Sequence, residues 1–524
     1  MLEVFLVNKK IWTMSSFIML GLLLVIITLV LSQSFRSKEK QVIPKKKDSY
    51  RPVYHFSVPE KWMNDPQRPL YFKGKYHYYY LYNRDYPKGN GTEWRLATSK
   101  DLIHWKDHGV AIPKYTNKNG DIWTGSVVRD RENTAGFGKN ALVALVTQPP
   151  AHRDQEQFLW HSTDDGKTFK QDNEKSVLPN PGVKDFRDPK VIWDGVRNKW
   201  VLLLAEGSKI GFYESENLKE WRYMNGFMTH DIGIVECPDL FQLRAGDGTV
   251  KWVLGASANG KAAGLPNTYA YWIGDFNGEK FTADHDAPQW LDYGFDWYAG
   301  VTFENARASL DSRYAIAWMN NWDYPNITPT LKRDKFNGVN SIVRKIHLVK
   351  QDDGYSLASQ PAAELDKLAA STQQLKTIRV NGTKTLDARG TAYQLEADIS
   401  WTDAGNVGFR LRESEDKERH IDVGIFSTAG YLYVNRAFTN QPDKSKKYLE
   451  SHAPLAAGTK RVHLKILVDK TSIEVFVDDG RTVLTNQVFP RLNDEGISLY
   501  SEGGTAVFEN MKIKHFRSIN ETTK

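Results

Sequence analysis

Three carboxylates in this chain each stand within two residues of a proline: Asp65 in "WMNDPQRP", Asp188 in "DFRDPK" and Glu236 in "VECPDL". One carboxyl kept protonated can donate to a leaving oxygen while another, ionised, attacks or activates water, which is the division of labour in glycosidic hydrolysis. Crowding like charges raises the pKa of one member and makes that division available. Glu236, with its longer stem, suits the acid/base, and Asp65 suits the nucleophile. Trp62, Trp94, Trp123 and Arg187 lie close by in sequence, and flat rings with polar tips suit sugars. Taken singly, Asn-Asp-Pro is equally a turn signal, because Asp and Asn bond their own backbone and Pro fixes φ. The architecture must decide whether the three groups meet.

A weak internal repeat predicts that they do. "SKDLIHW" ends at Trp105, "STDDGKTF" at Phe169, "SENLKEW" at Trp221 and "GDFNGEKF" at Phe281. Each reads as a hairpin tip, an Asp, Asn or Gly turn followed by an aromatic residue. The spacings are 64, 52 and 60 residues, and between the tips lie strand-like runs such as "KYHYYYLYN", "ALVALVTQ", "KWVLLLAE" and "KWVLGASA". Four-stranded units at such a period predict a β-propeller, with five blades over residues 50–351. The first strand of every blade lines the central channel. Asp65, Asp188 and Glu236 lie 40, 33 and 45 residues before their repeat aromatics, with Thr124 and Ser126 at 45 and 43. Residues at similar phase converge at one mouth of the channel, although far apart in sequence.

Residues 352–372 are expected to be a linker with a short helix in "PAAELDKLAAS", where Pro361 precedes Leu365 and Leu368. Beyond it, 373–518 is strand-like throughout, with the alternation Val462, Leu464, Ile466, Val468 and a turn at Asp478-Asp479-Gly480. Antiparallel half-buried strands of this kind predict a C-terminal β-sandwich, so the fold class is all-β.

Composition narrows the partner. Residues 1–51 hold nine Lys or Arg against three acids, so of the net +7 only about +1 belongs to the remaining body. A neutral polymer fits that body better than nucleic acid does. The lone cysteine, Cys237, excludes an intramolecular disulfide and a Cys-based zinc cluster. Residues 1–10 read as a cytoplasmic N-region and 32–49 as a basic tether. Between them, 11–31 form an uncharged apolar run long enough to cross a bilayer, a signal-anchor or signal peptide. The body is expected on the extracellular face, tethered or secreted, and monomeric.

The ordered set "WMNDP", "WTGS", "FRDPK", "ECPDL", "AWMNNW" and "SIEVFVDDG" resembles that of glycoside hydrolase family 32, the retaining β-fructofuranosidases, over about Tyr50 to Phe516. The resemblance implies a five-bladed propeller and a β-sandwich, with no metal or organic cofactor. It implies Asp65 as nucleophile, Glu236 as acid/base and Asp188 as transition-state stabiliser. Asn64, Trp94, Thr124, Arg187 and Trp318 would line the fructosyl subsite. Within the family the chain, including "LYNRDYPKGNGTEWR" and "DYGFDWY", is similar to bacillus-type endolevanases, which implies levan as substrate and levanbiose as product. Two departures stand out. Gln67-Arg68-Pro69 replaces the usual Asn-Gly after the Asp-Pro, and reads as a bulkier, charged edge to the site. Leu81 stands where members commonly carry Gln, so a hydrogen bond to the terminal sugar is lost and a site open to the interior of a polymer is expected. An exo-acting fructosidase on sucrose or inulin, a fructosyltransferase and a non-catalytic fructan-binding surface protein remain the alternatives.

Overall fold

The computed structural model describes residues 49–520 apart from 89–90, 152–153, 261–263, 266, 307–309 and 443–446. The expected segments 1–10 and 11–31, and the tether up to residue 48, lie outside the described residues. Among the described residues no helix is long and apolar enough to cross a membrane.

Five antiparallel sheets form the blades of a propeller, each begun by an innermost strand: Lys61–Phe72, Gly125–Asp130, Arg187–Asp194, Val235–Arg244 and Tyr298–Glu304. The repeat aromatics follow the turn between third and fourth strands in blades 1 to 4. In "SKDLIHW" and "SENLKEW" the local geometry is the same. Leu102 and Leu218 take positive φ, Asp101 and Asn217 accept from backbone N–H groups, and Trp105 and Trp221 each donate to the leucine carbonyl at 3.1 Å. Blade 5 has no such turn. Its second and third strands are separated by residues 319–343, from which Phe336–Asn337 returns to pair in parallel with Lys61–Trp62 of blade 1.

"KYHYYYLYN" shows why aromatic runs suit this fold. Both faces of a blade are buried against neighbours, so alternate side chains serve different interfaces. Tyr78, Tyr80 and Tyr82 pack with Val301, Phe303 and Ile316 of blade 5, whereas Tyr79 and Leu81 pack with Val127, Leu142 and Val146 of blade 2.

The propeller runs further than expected. Gly354–Pro361 is the outer strand of blade 5, paired along Arg344–Gln351, so the boundary placed at 351 moves to Pro361. The expected helix is one 3₁₀ segment, Ala363–Leu368, whose Leu365 and Leu368 pack against Leu467, Phe476 and Phe516. The sandwich is built on one 21-residue strand, Gly496–Phe516. Its first half pairs with Asn406–Glu413 and its second with Tyr393–Trp401 and Ala369–Gln374, while Ile378–Arg389 pairs across both, from Phe508 back to Gly496. Val462, Leu464, Ile466 and Val468 all enter its core, as their alternation requires.

Buried ion pairs join the two domains. Arg344 of blade 5 bonds Asp292 at 2.8 Å and Glu474 of the sandwich at 2.6 Å, and Arg436 of the sandwich bonds Asp296 at 2.7 Å. Asp292 and Asp296 flank Gly294, where a Cβ would stand 2.0 Å from the Thr485 carbonyl oxygen, so only glycine permits this approach. His55 lies between Asp469 and Glu474, 2.9 Å from each. Burial alone would lower its pKa, but the two carboxylates raise it to about 9.

A raised imidazole pKa stabilises the fold fully below its unfolded value near 6.5, and the contribution is lost as pH rises through about 9. Thermal unfolding followed between these values should show a loss on the order of 3 kcal/mol that His55→Gln abolishes. An equal pH dependence in the variant would assign the loss to other groups.

Candidate active site

The carboxylates reach the channel mouth through breaks in strand pairing. Register is interrupted between Met63 and Pro66 beside Asp65, and between Glu236 and Asp239. It also slips opposite Asp188, between Leu203 and Ala205. Asp188 and Cys237 hold positive φ, 63° and 49°. Such bulges bend a strand and re-aim its side chains, and proline, with no N–H to contribute, fits where the ladder is interrupted. The recurrent Pro66, Pro189 and Pro238 are therefore part of the device that turns each carboxylate into the channel.

Asp65 lies deepest. Thr124 Oγ1 donates to its Oδ2 at 2.7 Å and Asn64 Nδ2 to its Oδ1 at 3.1 Å, while Trp62 Nε1 fixes Asn64 Oδ1 at 2.8 Å. Asp188 Oδ2 accepts the Cys237 N–H at 2.9 Å. Glu236, nearer the rim with its side chain 21% exposed, takes Arg187 Nη2 at 3.0 Å and Nε at 3.2 Å on Oε1, and the Tyr298 hydroxyl on Oε2. Arg187 is held in turn by Asp185. The Cys237 thiol lies between the two aspartates, 3.9 Å from Asp65 and 3.7 Å from Asp188, and burial keeps its pKa far above the usual thiol value.

Burial, then repulsion from Asp188 and Glu236, pushes the Asp65 pKa up to about 7 against the hydrogen bonds from Thr124 and Asn64. Asp188 is also raised, by burial above all, with Arg187 opposing. The crowding expected to protonate one carboxyl thus acts on the aspartates. With Asp65 ionised, the site offers a desolvated, oriented anion facing a carboxyl group on the rim.

Not every expected residue joins this network. Trp62, Asn64, Thr124 and Arg187 do. Trp318 is fully buried and reaches it through Trp62, at a ring separation of 5.7 Å. Trp123 is half-buried and offers its carbonyl to Trp94 Nε1 at 2.8 Å. Trp94 and Leu81 sit in the apolar core between blades 1 and 2, and Ser126 accepts the Val191 N–H at 3.2 Å, tying blade 2 to blade 3. Gln67 and Arg68 do not form an edge to the site: they are buried beneath it. Gln67 accepts the Gly125 N–H at 2.6 Å and donates to the Asp65 carbonyl at 2.9 Å. Arg68 donates to the carbonyls of Gly125 and Pro238, both at 2.8 Å, and to that of Asp188 at 3.4 Å. A site opened by these two residues is therefore ruled out by their position.

Sequence reasoning passed over Tyr298 and Cys237. Tyr298 begins the innermost strand of blade 5, but that blade has no hairpin tip from which to count back. Cys237 was visible as the lone cysteine, but nothing in its sequence surroundings places its thiol between the two aspartates.

A propeller with this carboxylate cluster and an appended sandwich is the architecture of a glycosidase, and the chain belongs to the glycosyl hydrolases family 32. The N-terminal domain of that family matches residues 55–361 and the C-terminal domain residues 364–515. The chain is 64% identical over 480 residues to the levanbiose-producing levanase of Bacillus subtilis (strain 168), covering 91% of this chain and 93% of that one. It is 65% identical over 393 residues to the levanbiose-producing levanase of Geobacillus stearothermophilus, covering 74% and 99%. The crystal structure of exo-inulinase from Aspergillus awamori superposes with a TM-score of 0.82 at 29% identity, over 90% of this chain and 99% of that one.

Arg68→Met would strand three carbonyls in the channel, and losing charge-assisted bonds there should lower unfolding stability by about 3 kcal/mol or more. Urea denaturation reads the change. A variant as stable as the parent would show that the central tie is dispensable.

Proposed function

We propose that this protein is a retaining levanase that cleaves β-2,6-fructosidic bonds and releases levanbiose and short fructo-oligosaccharides. The observation that carries the reading is the meeting of Asp65, Asp188 and Glu236 close enough to repel one another, in a chain of family 32 that matches a levanbiose-producing levanase over 93% of that enzyme's length. The nearly neutral body agrees with a neutral polymer as substrate.

In the first step the ionised Asp65 attacks C2 of the bound fructosyl ring while Glu236 gives its proton to the departing O6 of the next unit, leaving a fructosyl-enzyme ester. Glu236 then takes a proton from water, whose oxygen attacks C2 and releases Asp65. Two inversions give retention. Thr124 and Asn64 orient Asp65 for the attack. Asp188 and Arg187 grip ring hydroxyls, and the Arg187 charge steadies Glu236 once it has lost its proton. The apolar run 11–31 supports export of the body, anchored or released. One chain supplies every residue of the site, so a monomer suffices.

Incubation with levan should give levanbiose as the main early product, with Asp65→Asn slower by several orders of magnitude because the covalent route is lost. Free fructose as the sole product would replace this reading with an exo-fructosidase, and a wild type inactive on every fructan would leave a binding protein. The acid limb of kcat/KM reports ionisation of Asp65, so activity should fall as pH drops through about 7. Thr124→Val removes a bond that favours the anion and should move that limb to higher pH. A limb unmoved in the variant would detach it from Asp65.

A further inference from the structure

A groove of about 630 Å³ opens on blade 1, lined by Lys61, Arg84, Asp85, Tyr86, Lys88 and Tyr115 among others. Its volume lies within the range of clefts that bind small ligands, about 300–1,000 Å³. One wall packs on the residues that hold the site: the Tyr86 ring lies 5.0 Å from that of Trp62, which bonds Asn64 and through it Asp65.

Its walls are fixed in place. Tyr86 accepts from Asn337 at 3.1 Å and donates to Asn326 at 2.8 Å. Arg84 is held by the buried Glu93 at 2.6 Å, and Asp85 by Lys114 at 2.9 Å. Tyr115 is the most telling member. It is 71% exposed yet holds φ at +65°, and its hydroxyl is bonded to Asp85 at 3.1 Å. Tyrosine offers a flat apolar face and a polar tip, and the surrounding Arg, Lys and Asp side chains supply donors and acceptors for hydroxyl groups.

The chemistry of the polymer says which sugar would lie there. In a β-2,6 chain each ring carries the preceding unit on O6 and the next one on C2, at opposite ends of the ring. A ring over Asp65 with its C2 bond turned to Glu236 of blade 4 points O6 away from Glu236, and the groove opens at the rim of the Asp65 blade. We propose that the groove is a second fructosyl subsite, which takes the unit preceding the one over Asp65 and so makes a disaccharide the unit of release. This inference rests on the levan-cleaving reading and adds to it a reason for the product length.

Tyr115→Ala, alone and with Lys88→Ala, tests it on levan, with products resolved by chromatography and thermal unfolding checked to show an intact fold. Both side chains are exposed, so the fold should be unaffected. The expected result is a fall of about tenfold in the ratio of levanbiose to fructose released, the effect of losing one aromatic contact to the second ring. An unchanged ratio overturns the proposal, whether or not the overall rate falls, since a groove on the leaving side would slow cleavage without altering what is released. A wild type that liberates no sugar from levan overturns instead the functional reading on which the proposal stands.

Discussion

The guanidinium of Arg68 is the point on which this structure turns. Innermost strands carrying broken pairing must meet around an axis, and their carbonyls there have no sheet partners and no place in bulk water. From blade 1, Arg68 donates to carbonyls of blades 2, 3 and 4, with Gln67 adding a bond to Gly125 of blade 2. A buried cation bonded to several carbonyls is stable only because each bond replaces hydration that burial removed. The same positive charge opposes the rise in the Asp188 pKa. The floor that holds the mouth together is thus also part of its electrostatics.

Above that floor the site is graded by burial. Asp65 and Asp188 are nearly inaccessible, while Glu236 stands at the rim between Arg187 and Tyr298. Desolvation weighs on the deeper groups and lifts them, and Thr124 and Asn64 offset part of that lift at Asp65. The carboxylates therefore differ in environment even though their strands are equivalent in the repeat. The sandwich adds rigidity from outside. Asp292 and Asp296, only a few residues before Tyr298, are pinned by Arg344 and Arg436, so the loop leading into blade 5 is held before it delivers Tyr298 to Glu236.

The turn-and-aromatic repeat was legible because it is local. "SKDLIHW" and "SENLKEW" encode a positive-φ leucine, a capping Asp or Asn and a tryptophan that bonds back, all within seven residues. The phase of Asp65, Asp188 and Glu236 could be counted from those tips. Blade 5, which has no tip, concealed Tyr298. Leu81 and Trp94 were misplaced for a related reason. In a strand buried on both faces, position in a motif does not tell which interface a side chain enters, and both enter the core between blades 1 and 2. Gln67 and Arg68 were read as surface because polar residues after a turn usually are, whereas the bulge turns them beneath the site.

The sequence by itself determined the elements: period-two strands, hairpin tips, a short helical connection, and acids placed beside prolines. These depend on φ preferences and on alternation, which act over a few residues. Only the tertiary structure decided what lies at the mouth, under it and beside it. Whether Arg68 faces solvent or three carbonyls depends on residues some 60 to 170 positions away. The closing of a ring, not any local preference, sets those distances.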